Sequence, residues 1–110
     1  MQAGRELDVK VAEALGYKVL RDKKPWMIES NPMVRNILPS YSTTWGGMGV
    51  LVEEAAKKQD IYLKVEADPH GGYEASAWDE RDWINYESIT AESAPHAVSI
   101  AFLEAMRIAI

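Results

Sequence analysis

Carboxylates, two histidines and a run of glycines are the groups in this chain with which chemistry could be done. Trp78-Asp79-Glu80-Arg81-Asp82-Trp83 holds three of the carboxylates. Two carboxylates are the minimum for glycoside hydrolysis, but this string reads as a charged connection between strands. Asp68 and His70 stand two apart, and a metal would need further ligands from Asp79, Glu80 or Asp82. The segment Asp68-Pro69-His70-Gly71-Gly72 is already accounted for by the turn preferences of Asp, Pro and Gly, so no metal site is expected. His96 and Glu92 are the residue types of an acid–base pair. Both fall at a predicted helix start, where capping explains the carboxylate and solvent exposure the histidine. Gly46-Gly47-Met48-Gly49 invites comparison with a phosphate loop, yet the Lys and Ser/Thr that complete such a loop are missing and no convincing strand precedes it. Close packing is the plainer reading. Each interior helix glycine costs about 1 kcal/mol relative to alanine, so contact with another backbone, a partner or a ligand is needed to explain them. No catalytic residue and no cofactor is expected.

Aromatic side chains offer binding chemistry instead. Tyr73, Trp78, Trp83 and Tyr86 alternate with charge, which suits a groove or an interface hot spot, or else one strand face packed under a helix. The expected binding surface comprises Tyr41, Trp45, Gly46 and Gly47 together with Trp78 and Trp83.

The elements that must position these residues follow from periodicity. Leu7, Val11 and Leu15 recur at four-residue spacing with Ala14 beside them and Gly16 following, which predicts a helix from Glu6 to Leu15. Tyr17–Leu20 and Pro25–Ile28 flank a charged stretch and predict a weak hairpin or an irregular excursion stapled by Trp26. Pro32, Pro39, Asn31, Asn36 and Ser40 predict a surface connection from Glu29 to Tyr41. Ser42, Thr43 and Thr44 offer caps to a second helix, in which Trp45, Met48, Val52 and Ala55 recur at helical spacing up to Lys57-Lys58. Ile61, Leu63 and Val65 alternate with Tyr62, Lys64 and Glu66, and Tyr73, Ala75 and Ala77 alternate with Glu74, Ser76 and Trp78. The turn between them makes an antiparallel hairpin. A third strand is expected over Trp83 to Ser88. Ser93 and Pro95 then open a helix running to the end of the chain, apolar around nearly its whole circumference, and so buried on more than one side.

Composition limits what such a chain does. With 110 residues, 47% of them hydrophobic, it is expected to form a single domain over residues 1–110 and to fold without a partner. The absence of cysteine removes disulfides and thiolate chemistry and suits a reducing cytoplasm. The polar Met1–Glu6 segment and the lack of a long apolar run predict neither export nor membrane insertion. A net charge of −5 repels phosphate backbones, so nucleic acid is not an expected direct ligand. The apolar ending Arg107-Ile108-Ala109-Ile110 predicts a homodimer or higher homo-oligomer that would bury it.

Three local strings, in order, carry a resemblance. Val11-Ala12-Glu13-Ala14-Leu15-Gly16-Tyr17, Pro39-Ser40-Tyr41-Ser42-Thr43 before a Trp-containing helix, and Ala91-Glu92-Ser93-Ala94-Pro95-His96-Ala97 before an Ala-rich helix resemble the phage ABA sandwich domain family. The resemblance implies an α+β fold, a three-layer α/β/α sandwich with a small antiparallel sheet of about three strands. It also implies an origin in a bacteriophage or prophage, and no reaction. The expectation is an accessory protein of the host bacterial cytoplasm that binds a host protein or a small host metabolite, counter-defence being one such role. A small-ligand or nucleotide binder, an acidic mimic of DNA, a phage structural or assembly protein and, last, a small enzyme are the alternatives.

Overall fold

In the computed structural model, which describes residues 1–31 and 34–109, the elements in chain order are helix α1 (Arg5–Ala14), strands β1 (Lys18–Leu20), β2 (Met27–Asn31) and β3 (Val34–Ile37), helix α2 (Trp45–Gln59), strands β4 (Ile61–Ala67), β5 (Tyr73–Asp79) and β6 (Ile84–Ala91), and helix α3 (Ala94–Ala105). The strands form two antiparallel sheets of three, β1-β2-β3 and β4-β5-β6. The fold is therefore α+β, with helices at the N-terminus, in the middle and near the C-terminus; the last was expected to run to the end of the chain but stops at Ala105, with Arg107 in the left-handed region (φ 58°), and the strand expected over Trp83 to Ser88 runs from Ile84 to Ala91.

The expected surface connection from Glu29 to Tyr41 is in fact partly strand: β2 continues to Asn31 and pairs with β3, with Glu29 opposite Arg35 and the two side chains in a salt bridge at 3.1 Å. Every residue of β3 is exposed, so no alternation of apolar and polar side chains marks it in the sequence. Pro32, one source of that expectation, lies outside the described residues. The weak hairpin exists, as β1 paired with β2.

Chain direction at the larger sheet is set by two short connections. Thr44 caps α2, its Oγ1 accepting from the Gly47 amide at 2.9 Å. At the other end Asp60 adopts the left-handed conformation (φ 54°) and its amide closes on the Ala55 carbonyl, so the chain leaves the helix directly into Ile61. The helix consequently runs back along β4 and brings its first residue, Trp45, to the end of the sheet where Tyr73 begins β5; the two rings meet edge to face at 6.1 Å.

Helix α3 lies against β4, β5 and β6 on one side and meets α1 and α2 as well, while α2 also contacts β4 and α1 contacts β1. The elements thus stack three deep, as expected, but the larger sheet is an outer layer and not the middle of an α/β/α sandwich: the order is the sheet, then α3 with α2, then α1. Val98, Phe102 and Leu103 from α3, Leu7 and Val11 from α1, Leu51 from α2 and Ile61 from β4 share one buried apolar cluster. The near all-round apolarity of α3 is covered by these elements of the same chain, so it does not by itself call for a second copy. No helix among the described residues is long and apolar enough to cross a membrane.

A buried polar knot fastens the connection before α2 to α1. Asp8, fully buried, accepts from the Ser42 amide at 2.9 Å and from Ser42 Oγ at 2.7 Å, and pairs with the Arg5 guanidinium. Arg5 also donates to the Leu38 and Pro39 carbonyls, each at 3.1 Å. The buried charge is thus matched and hydrogen-bonded, as burial requires.

Candidate functional site

Alternation along the larger sheet decides which side chains face α3 and which do not. Ala75, Ala77 and Asp79 of β5 are buried beneath α3, with Ile61, Leu63 and Val65 of β4 on the same side. Tyr62, Lys64 and Glu66 of β4 and Glu74, Ser76 and Trp78 of β5 point the other way, and no helix packs over them. This open face is ordered in rows across the strands. Tyr62 lies opposite Trp78, Lys64 opposite Ser76, and Glu66 opposite Glu74, while Asn85 and Thr90 of β6 lie opposite Trp78 and Glu74.

The aromatic row is extended by Trp83. Its ring meets that of Trp78 edge to face, with centroids 5.9 Å apart and planes at 81°, and the Trp78 indole N–H donates to the Glu80 carboxylate. Trp83 is 75% exposed and Tyr62 48%, so two large aromatic side chains stand in water on either side of half-buried Trp78.

The turn that presents Trp83 is held by Asp79. Its side chain is buried, and Oδ1 accepts from the Arg81 amide at 2.9 Å and the Asp82 amide at 3.3 Å, while the Arg81 guanidinium lies at 3.4 Å. Burial works against the charged form of Asp79. The hydrogen bonds from the Arg81 guanidinium and from the Asp82 and Arg81 amides outweigh it, and the carboxyl titrates below its ordinary range. Trp83 itself takes φ 57°, a left-handed conformation that is uncommon for so bulky a residue. The turn therefore holds an exposed tryptophan in a conformation that glycine would adopt more easily.

The six residues expected to form one binding surface are not brought together. Trp78 and Trp83 are neighbours at one end of β5. Trp45, 61% exposed, and Gly46 lie at the other, by Tyr73, and the strand between spans about 20 Å. Tyr41 is fully buried, and its hydroxyl has no hydrogen-bond partner. Gly47 is buried because the chain passes it closely: a Cβ there would sit 2.0 Å from the Ser40 carbonyl oxygen. Gly46 and Gly49 have open space at that position. Tyr62 was not among the expected residues, although an aromatic side chain at an outward position of an alternating strand was a legible signal.

The other groups considered for chemistry have structural partners. Asp68 Oδ1 accepts from the His70 amide at 2.9 Å within its turn, Asp82 pairs with Arg107 at 3.1 Å, and His96 Nε2 lies 2.8 Å from the Met1 carbonyl oxygen. Ser93 caps α3 by accepting from the His96 amide at 3.3 Å. Among the described residues no cluster of three His, Asp or Glu side chains is placed to hold a metal ion.

Fold and site together define a small α+β protein with one face of its larger sheet open and aromatic at one end. Its fold is similar to the crystal structure of a phage protein from Bacillus cereus ATCC 14579, with a TM-score of 0.70 at 18% sequence identity over 100% of this chain and 96% of that one. At that identity the likeness is one of fold. No family model matches the chain, and no curated protein does so.

Proposed function

We infer that this chain is a phage or prophage accessory protein that acts by binding a host protein, with the open face of β4–β6 as its contact surface. The observation that carries the reading is the row Tyr62, Trp78 and Trp83. Tryptophan and tyrosine are, with arginine, enriched at interface hot spots, and two exposed aromatic side chains beside a half-buried third make an apolar patch of the kind that marks interaction sites. The turn locked by Asp79 supports it, since the chain keeps Trp83 outward in a conformation that disfavours its side chain. The fold likeness to a Bacillus phage protein supports the phage origin.

Binding is preferred to catalysis because the carboxylates that might act as acid or base serve the turn, the indole of Trp78 or an arginine. An acidic DNA mimic is less well supported. Among the described residues eight of the seventeen Asp and Glu side chains are paired with a cation, and those pairs come from several elements, so the acidic charge does not form a continuous stripe. Sequestration of a small metabolite is the second reading, favoured by an open, mostly apolar hollow of about 240 Å³ lined by Arg5, Lys23, Lys24, Pro25 and Trp26.

Native mass spectrometry after incubation with a lysate of the bacterial host tests both readings. A heavy complex formed by the wild type and lost in Trp78→Ala/Trp83→Ala supports protein binding through this face. A small added mass retained by that variant and lost in Lys23→Ala/Lys24→Ala would replace it with metabolite sequestration.

A further inference from the structure

We propose that the open face of β4–β6 receives a cationic segment of its partner protein, with one Arg or Lys side chain in the corner between Trp78 and Trp83 and a second beside Glu66 and Glu74. This rests on the reading of that face as the contact surface and adds the chemistry of what it contacts.

The corner is suited to a cation. In this edge-to-face pair the indole that points its edge at the other keeps both of its own faces clear of it, and a ring face is what attracts a cation; tryptophan is the strongest of the aromatic partners for ammonium and guanidinium groups. Glu80, bonded to the Trp78 indole N–H, places a carboxylate beside it. The cations nearby are already committed on their own account: Arg81 to Asp79, Arg107 to Asp82.

The second contact is prompted by a like-charge pair. Glu66 and Glu74 stand directly opposite each other on neighbouring antiparallel strands, both exposed, an arrangement that destabilises a sheet. Lys64 relieves only one of them, meeting Glu66 at 3.0 Å; among the described residues Glu74 has no cationic partner. A cation supplied from outside would turn that repulsion into attraction. Trp78 and Glu74 are four residues apart on one face of β5, so the two cations should be spaced about 13 Å, which is the span of residues i and i+4 in an extended peptide. Charge over the chain agrees in sign. Residues 1–35 carry seven Lys and Arg against five Asp and Glu, whereas residues 36–110, which include this sheet, carry five against twelve. Such a field draws in cationic partners and repels anionic membranes and nucleic acid.

The test is titration of the full chain, followed by NMR, with a nine-residue peptide bearing arginine at its third and seventh positions and leucine at its fifth. Two further peptides serve as comparison: one with both arginines replaced by glutamine, and one with the two arginines adjacent. The expected result is a shift of the Trp78 and Trp83 indole N–H signals with the spaced peptide, an affinity at least fivefold lower for either comparison peptide, and a fivefold loss in Trp83→Ala and in Glu66→Gln/Glu74→Gln. An unchanged Trp45 indole signal shows that each variant is folded. If the glutamine peptide binds as tightly and Trp83→Ala still weakens it, the face remains the contact surface and the cationic proposal is overturned. If no peptide shifts Trp78 or Trp83 at millimolar concentration, both readings fall.

Discussion

Gly47 and Tyr41 show how a side chain's surroundings decide its role more firmly than its type does. Gly47 is required by backbone: the Ser40 carbonyl carbon and oxygen occupy the place of its Cβ, and backbone cannot swing aside as a flexible side chain would. Gly49 sits in the same helix with open space around its missing Cβ. Opposite effects are expected from one substitution. Gly47→Ala should cost about 3 kcal/mol through overpacking, and Gly49→Ala should add up to about 1 kcal/mol through helix propensity, both read from urea unfolding midpoints. Tyr41 gives a second test at this scale. Its buried hydroxyl lacks a partner, and burial together with the nearby negative charge of Glu54 pushes its pKa well above that of an ordinary tyrosine. Removing an unsatisfied buried hydroxyl while keeping the ring should not destabilise. Tyr41→Phe is therefore expected to match or exceed wild-type stability by up to about 1 kcal/mol, and a loss of 2 kcal/mol would mean that the hydroxyl has a partner after all.

At the scale of elements, the turn from β5 to β6 is the device on which the proposed contact depends, and its pH response follows from Asp79. The folded carboxyl titrates below its ordinary range because the Arg81 guanidinium and the amides of Asp82 and Arg81 hold the charged form against the cost of burial. A depressed folded pKa gives a contribution to stability that is fully present above the unfolded value, about 3.9, and is lost as pH falls through the folded one. The stability gap between wild type and Asp79→Asn should thus be constant from about pH 5 to 8 and narrow below about pH 4; a gap that widened with acid would reverse the assignment. Strands β4 and β5 and helices α1 and α2 were legible because each presents one periodic apolar face to the core, Ile61, Leu63 and Val65 being the plainest case, whereas α3 was legible from its Ser93 and Pro95 start and its all-round apolarity. Strand β3 was not, because all its residues are exposed and it is specified by pairing with β2 alone. The Asp8–Ser42–Arg5 knot was equally silent, since its members lie 34 and 37 positions apart in part and only tertiary packing brings them together. Of the expected site, Trp78 and Trp83 could be paired from the sequence because a single turn joins them. The separation of Trp45 from both depended on α2 running back along β4, which follows from the left-handed Asp60 and not from any periodicity.

The whole molecule has a covered side and an open one. Helices α3 and α2 lie on one side of β4–β6, with α1 behind α3, and the other side grades from Tyr62, Trp78 and Trp83 at one end to Glu66 and Glu74 towards the other. Exposed aromatic surface also exists away from this face, at Trp45, and that residue provides an internal control. The most direct measurement is tryptophan oxidation footprinting of the purified chain, alone and in a lysate of the bacterial host, read residue by residue by mass spectrometry. Trp83 and Trp45, 75% and 61% exposed, should oxidise readily in the isolated protein. In the lysate Trp83 is expected to be protected severalfold while Trp45 is unchanged; protection of Trp45 with Trp83 still fully reactive would contradict the assignment of the open face as the contact surface.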